Sequence, residues 1–514
     1  MSMFIKYRKI TLFIKDLNEK QILLILLGIA FGLRLYAVLM AKGISYDGAA
    51  YGFVARDFLR HDFAKGLSSA LHPLYPFLIY LLSPGPDHVE IVGRLISLFF
   101  GTITFIPVFY LAKEIAGQKG AILSGLFYSI HPYLVTYSGS LLSEVTYWGL
   151  FTLSVYFFWT GLKRKKVLRS IASGFFLALT YLTRPEGIGY LFIFVMWLFF
   201  YGGFKAGWFK KILLFGGVIL PFLIFSILYM IRIHQETGQW LISKKAVGVQ
   251  AELLRGGEQI DGSIVKVVRL GQKSEVQHII KGVAKNVIQN IPFTAYHYLR
   301  AYHFALWLFL IFGLIRVRQA GGKLELFLAS IVLFHLFSLS IFTGSTIRFS
   351  VPLIPISLFW AGAGVLEIQR RLQRVKISNP EKWVSFLIIL AILVQLPQSM
   401  RPEGRSRADQ KEVGLWLKQN TPPGAIIMSN SPQEAFYADR EWMMLPSGIS
   451  TPGNPGKSYH EIIDYVKTKG VRYILVNKNT PEMNPGFMES IRSSDLKEIF
   501  RRADGGSVIY EVIY

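Results

Sequence analysis

The chain is 514 residues long, 52% hydrophobic, 15% aromatic and only 17% charged, whereas an ordinary soluble domain carries about 25% charged residues. Its formal charge of +24 does not argue for nucleic acid, which needs a basic face on a soluble fold; here Lys and Arg gather between apolar runs, where membrane topology explains them. There is no cysteine, so disulfides, thiol chemistry and thiolate metal sites are excluded.

The first 20 residues are basic, and an apolar run begins at 21. It is too long for the apolar region of a signal peptide and no small-residue cleavage pattern follows, so it reads as a retained span. A helix of about 20 apolar residues crosses a bilayer. On that measure spans fall at 21–41, 91–112, 120–137, 143–161, 170–183, 187–203, 212–232, 300–315, 325–342, 349–367 and 383–398, about eleven in all, with ends good to a few residues. Basic residues mark alternate connections: Lys6, Arg8, Lys9, Lys15 and Lys20; Lys113 and Lys119; Lys163, Arg164, Lys165, Lys166 and Arg169; Lys205, Lys210 and Lys211; Arg316, Arg318 and Lys323; Arg370, Arg371, Arg374, Lys376 and Lys382. Cationic loops stay cytoplasmic, which places 1–20 inside and the other connections outside.

The reading is therefore a polytopic α-helical membrane protein of the inner or plasma membrane, with a membrane part over 21–398 and outer segments 42–90 and 233–299. The first outer segment is expected to hold amphipathic pieces lying on the membrane surface, and the second a helical pattern of its own. From 399 to 514 the character changes. Val413, Leu415, Trp416 and Leu417 mark a helix, 425–428 a short strand, 459–466 a helix and 471–476 a strand. Alternating helices and apolar strands predict a soluble, extracytoplasmic α/β domain with a mostly parallel sheet.

Unusual polar residues collect at the outer ends of the spans. Asp47, just past the first span, is either a base with a raised pKa at the bilayer edge or an interfacial capping residue. His72 in His72-Pro73-Leu74-Tyr75 either binds an anionic group, with Tyr75 reaching the same side, or is a turn residue before proline. Glu144, a carboxylate entering an apolar run, is a functional candidate or compensates a helix dipole. Arg184, in the turn Thr183-Arg184-Pro185-Glu186-Gly187, has the fork geometry that suits phosphate, with Glu186 as a surface partner. Arg348 is a second phosphate candidate or an interfacial anchor. Arg34, inside the first span, faces the bundle or reaches an anionic headgroup. No phosphate-cradling loop is present, since Thr451 stands where Gly456-Lys457-Ser458 would need an upstream glycine, and no dinucleotide turn or H-E-x-x-H occurs.

At these residues the chain resembles the GT-C fold glycosyltransferases that take sugars from polyprenyl phosphates, above all protein O-mannosyltransferases and bacterial aminoarabinose (lipid A) transferases. The carriers are Tyr46-Asp47, His72-Pro73-Leu74-Tyr75, Tyr137-Ser138-Gly139 with Leu142-Ser143-Glu144, Leu182-Thr183-Arg184-Pro185-Glu186-Gly187, and Arg348-Phe349-Ser350-Val351-Pro352-Leu353-Ile354-Pro355. The resemblance covers roughly 20–400 and implies an outer-face site where a polyprenyl-phosphate-linked sugar meets a glycan, lipid or protein acceptor. It implies Asp47 as the base, inversion at the anomeric carbon, Glu144 as a second carboxylate orienting acceptor or sugar, and Arg184, Arg348 and His72 on the developing phosphate charge. Two departures stand out. The family's second acid after the first Asp is here Gly48, and the Lys that often opens the Pro-Leu-Tyr motif is here His72. Some relatives use a divalent metal ion and others do not, so the resemblance leaves a metal open. The alternative reading is a transporter or flippase of a lipid-linked saccharide, which would place charged residues and broken helices at the bilayer midplane, often with inverted repeats; no repeat is visible here.

Overall fold

The structure, a computed structural model, describes residues 18–200, 207–245, 273–341, 346–448, 456–477, 480, 484 and 487–514. The middle of the second outer segment, 246–272, lies outside the described residues.

Helix α1 (Glu19–Met40) starts at a reciprocal cap: Gln21 donates its amide N–H to the Asn18 side chain (2.9 Å), and the Asn18 amide donates to the Gln21 side chain (2.8 Å). Two donors that a helix end otherwise orphans are thereby satisfied. The segment between the first two expected spans is largely helical, with α2 (Tyr46–Leu59), α3 (Phe63–Ser68) and α4 (Leu74–Leu82). Its helices α2 and α4 pack on each other. Ala49, Tyr51, Ala55 and Phe58 of α2 are buried, in part against Tyr75 and Ile79 of α4.

The bundle continues with α5 (Val89–Ile103), α6 (Phe105–Ile130), α7 (Pro132–Ser138), α8 (Glu144–Arg164), α9 (Val167–Thr183), α10 (Gly187–Phe200) and α11 (Trp208–Thr237). Gly117 (φ 68°, ψ −172°) breaks α6 between Lys113 and Lys119, a conformation that a side chain would disfavour. That break is where the charge pattern separates two spans. Then come α12 (Lys273–Tyr302), α13 (Trp307–Ala320), α14 (Lys323–Ile341), α15 (Ile347–Ser350), α16 (Leu358–Arg374) and α17 (Pro380–Ser399).

Among the described residues, five helical stretches are long and apolar enough to cross a membrane, one of them the 45-residue stretch Pro86–Ile130. The number is seven if two bent pairs, folded by 81° at 303 and by 69° between 353 and 358, each count as one span. Helices α9 and α10 are apolar but shorter. Exposed Leu24, Ile25, Phe31 and Leu39 on α1 and Leu220, Ile224 and Leu228 on α11 form apolar outer surface of the kind that lipid covers.

After α17 the chain builds a five-stranded sheet of order β2-β1-β3-β5-β4, from β1 (Ile426–Ser429), β2 (Glu441–Met444), β3 (Tyr473–Asn477), β4 (Leu496–Arg501) and β5 (Ser507–Val512). Its helices are α18 (Ala408–Asn420), α19 (Gln433–Ala438) and α20 (Tyr459–Thr468). β1 runs parallel to β2 and β3, whereas β5 is antiparallel to β3 and β4. The sheet is therefore mixed, not mostly parallel. The last two strands follow each other through a short turn at Gly505 (φ 70°), and a connection that short permits only an antiparallel pair. Apolar clusters lie on both faces, one around Ile462, Val466, Ile474 and Val508, the other around Val413, Leu417, Ile427 and Leu475.

Candidate active site

Five of the residues singled out in the sequence converge. Asp47 is in the first turn of α2, whose N-cap Ser45 accepts from the Gly48 amide (3.0 Å). Glu144 opens α8 and is 1% exposed. Arg184 follows the last residue of α9, Glu186 precedes α10, and Arg348 lies in α15. The Arg348 guanidinium donates from Nη1 to Asp47 Oδ2 and from Nε to Glu144 Oε1. Arg184 donates from Nη1 to the same Glu144 Oε1 (2.9 Å) and from Nη2 to Glu186 Oε1 (2.9 Å). Two guanidiniums are thus interleaved with three carboxylates. Although burial raises its pKa, the charge and hydrogen bond of Arg184 hold Glu186 down at about 2. Glu186 is a partly buried partner of Arg184, not the surface partner expected.

A second layer holds Arg184 in place. Its guanidinium lies between the rings of Tyr147 (5.7 Å) and Phe349 (5.6 Å). The Tyr147 hydroxyl donates to that of Tyr190 (3.1 Å), which meets His335 Nδ1 (2.5 Å), while His335 Nε2 meets the Phe349 carbonyl (3.0 Å). A carbonyl only accepts, so Nε2 carries the proton and Nδ1 accepts from Tyr190. Tyr51 meets the Ser143 hydroxyl (2.7 Å) beside Glu144. Ser143 and Phe349 lie in motifs quoted from the sequence, whereas Tyr51, Tyr147, Tyr190 and His335 were missed. His335 carried a signal, as an ionisable residue inside an apolar run; the tyrosines, common at such helices, carried none.

The other expected residues sit elsewhere or behave differently. His72 is buried, its Nδ1 donating to the Tyr181 carbonyl (2.7 Å) and its Nε2 on the Ser243 hydroxyl (3.1 Å). Burial lowers its pKa to about 4, against the opposing effect of the Tyr181 hydrogen bond, so the ring is neutral at physiological pH and brings no positive charge to a phosphate. Tyr75 does not follow it. Its hydroxyl donates to the Gly93 carbonyl (3.0 Å) in the core between α4 and α5, and its ring meets that of Tyr51 edge-on (5.3 Å). Arg34 is fully buried, donating to the Ala30 (3.0 Å), Tyr128 (3.3 Å) and Ser129 (3.4 Å) carbonyls. It ties α1 to α6, and among the described residues its hydrogen bonds all go to carbonyls of the bundle rather than to the cluster.

Gly48 also has a structural reason. A Cβ there would lie 2.9 Å from the Leu141 carbonyl oxygen, so this packing leaves no room for the relatives' second acid. Among the described residues no three His, Asp or Glu side chains are grouped to hold a metal. The donor set fits one poorly, since guanidiniums already bridge Asp47, Glu144 and Glu186.

Residues 68–231 match the sequence model of the dolichyl-phosphate-mannose-protein mannosyltransferase family, a stretch that contains His72, Glu144, Arg184 and Glu186. No curated protein matches the sequence. In fold, the chain is similar to ArnT from Cupriavidus metallidurans, with 12% identity, a TM-score of 0.60, and coverage of 95% of this chain and 97% of that one. It is also similar to the oligosaccharyltransferase of Archaeoglobus fulgidus, with 14% identity, a TM-score of 0.57, and coverage of 95% and 72%. The arabinofuranosyltransferase AftD from Mycobacteria gives 12% identity and a TM-score of 0.51, over 97% of this chain and 40% of that one. In fold along nearly its whole length, and in sequence over 68–231, the chain is a membrane protein that resembles the GT-C glycosyltransferases.

Proposed function

We propose that the protein is an inverting glycosyltransferase that moves a sugar from a polyprenyl-phosphate donor to an acceptor hydroxyl on the outer face of the inner or plasma membrane, with the region after 399 extracytoplasmic. The observation that carries this reading is the convergence of Asp47, Glu144, Arg184 and Arg348 from four separate elements. The similar ArnT has been crystallised with undecaprenyl phosphate and the archaeal AglB studied with a dolichol-phosphate and an inhibitory peptide, which supports a lipid-phosphate donor. The about eleven spans expected from the charge alternation belong to the same proposal.

In the reaction the acceptor oxygen attacks the anomeric carbon, the bond from that carbon to the phosphate oxygen breaks, and the hydroxyl proton passes to Asp47. The Asp47–Arg348 pair is the most exposed edge of the cluster, with Asp47 at 42% and Arg348 at 27% side-chain exposure. It is therefore the pair a donor phosphate opens most easily, since exposed ion pairs are weak. Arg348 then turns to the phosphate and Asp47 is released to serve as base. Arg184, held by aromatic faces and two carboxylates, keeps its charge at the leaving group. Preorganised charge of this kind lowers barriers most effectively.

Asp47→Asn is expected to lower transfer of a labelled sugar from polyprenyl phosphate by about 10²-fold or more, with expression and thermal stability unchanged. Wild-type turnover in that variant would remove Asp47 from the role of base. Mass spectrometry of envelope glycans from cells lacking the gene would name the donor sugar and acceptor together.

A further inference from the structure

A second polar centre lies at the carboxyl ends of β1 and β3. The chain leaves β1 through α19 to β2 on one side and returns through α20 to β3 on the other. That makes the gap between β1 and β3 a topological switch point, the place where open α/β sheets bind ligands. Ser429 and Asn477 end the two strands there, and Ser431 is the hub between them. Ser431 receives Asn477 Nδ2 (3.2 Å) and Gln410 Nε2 (3.5 Å), and donates to Glu434 Oε2 (3.0 Å).

Around this hub several buried polar atoms have no partner among the described residues: both amide atoms of Asn430, Gln433 Oε1, Glu434 Oε1 and Gln410 Oε1. Asn430, Gln433 and Glu434 are 7%, 5% and 0% exposed. Buried polar groups in native proteins are paired almost without exception, so this density of open valences points to a molecule that supplies the partners. The chemistry of the open atoms narrows the class. Acceptor oxygens predominate, the one open donor is the Asn430 amide, and no cationic group stands among these atoms to hold a phosphate. A single carboxylate among neutral amides is also a poor cage for a divalent cation, which draws on several hard oxygen ligands. Hydroxyl groups satisfy the set, since each donates and accepts.

The position ties this centre to the reaction. Trp442 donates its indole N–H to the Ser429 hydroxyl (3.1 Å), and its ring meets Tyr46 edge-on at 6.0 Å. Tyr46 is 44% exposed and adjoins Asp47. Helix α19, which carries Gln433 and Glu434, packs on α2 through Phe436 against Gly52. We infer that the β1–β3 switch point, lined by Asn430, Gln433, Glu434 and Trp442, binds a neutral polyhydroxylated segment of the acceptor, a glycan, and guides it to Asp47. This inference rests on the transferase reading and names its acceptor class.

Two measurements on the full chain in lipid nanodiscs test it, one with activity and one without. The first uses polyprenyl-phosphate sugars and delipidated envelope polysaccharide from the source cells. Asn430→Ala and Gln433→Ala are expected to raise the acceptor KM by about tenfold, a change equivalent to about 1.4 kcal/mol, with kcat and the donor KM unmoved. Among the described residues neither side chain makes a hydrogen bond that the change would remove, so Tm is expected to hold; a merely structural role would lower Tm and leave KM alone. An unchanged acceptor KM in both variants overturns the site, and so does a loss cured by added divalent ions. The second measurement is hydrogen exchange with the same polysaccharide, expected to slow at 426–434 and 473–477 in wild type and not in Gln433→Ala. Protection without any transfer in wild type would leave the glycan site standing and overturn the transferase reading; no protection in wild type overturns the site even if transfer proceeds.

Discussion

Glu144 receives Arg184 and Arg348 on one oxygen, Oε1, while Oε2 has no partner among the described residues. That asymmetry puts both guanidiniums on one oxygen and leaves the other buried without a protein donor. Removing the charge on either side is costly, because breaking a buried pair strands its partner. Arg184→Ala is expected to destabilise the protein by about 3–5 kcal/mol, read as a lowered Tm in detergent, and to abolish transfer. Arg184→Lys is expected to recover stability in part but not activity, since an ammonium cannot reproduce the two-pronged bridge to Glu144 and Glu186. Equal activity of Arg184→Lys and wild type would remove the guanidinium geometry from the mechanism. Of the two departures seen in the sequence, Gly48 has a steric explanation. His72 is held neutral by burial, so the charge a lysine would supply is absent at that position.

At the scale of elements, α2 is the hinge of the arrangement. Its first turn carries Asp47, one face packs on α4, and Gly52 meets Phe436 of α19 so closely that a Cβ would lie 2.3 Å from the ring. Gly52→Val is therefore expected to cost about 1–3 kcal/mol through overpacking and to shift Asp47 against Arg348, lowering kcat more than Tm. Gly48→Ala is expected to be as damaging, because the obstacle is a backbone carbonyl that cannot rotate away. A Gly48→Ala variant with full stability and activity would show that the α2–Leu141 approach is loose. Helix ends explain why motifs spread over three hundred residues meet: Asp47 and Glu144 each sit in the first turn of a helix, where a carboxylate is favoured by the dipole.

Across the whole molecule, the sheet-containing region is joined to the bundle by charge as well as packing. Glu90 receives Arg94 (2.6 Å), Lys411 (3.0 Å) and the Tyr437 hydroxyl (3.3 Å), and Arg56 donates to the Phe436 carbonyl (2.6 Å). Inside that region burial pushes the Glu434 carboxyl up from 4.5 to about 7. Between those pH values the folded protein keeps a proton that the unfolded chain has lost, so stability falls as pH rises through the window and levels off above it. The loss is about 3 kcal/mol. Glu434→Gln is expected to flatten that part of the stability–pH curve, measured by thermal unfolding at stepped pH. A wild-type curve flat between pH 5 and 7 would contradict the burial of an ionisable Glu434.

Much was legible in the chain alone, and for physical reasons. Apolar runs and charge clusters act locally, so the helices over the membrane part, the break near Gly117 and the four residues Asp47, Glu144, Arg184 and Arg348 could be read without coordinates. Short strands with apolar runs, β1 and β3, were equally local signals. What tertiary structure decided was contact between distant positions. It separated Tyr75 and Arg34 from the cluster, made the sheet mixed by folding β4 and β5 back on each other, packed α2 on α4 and brought His335 behind Phe349. It also set Trp442, which hydrogen-bonds the carboxyl end of β1, against Tyr46. None of these follows from periodicity, because each depends on which faces meet after the helices have formed.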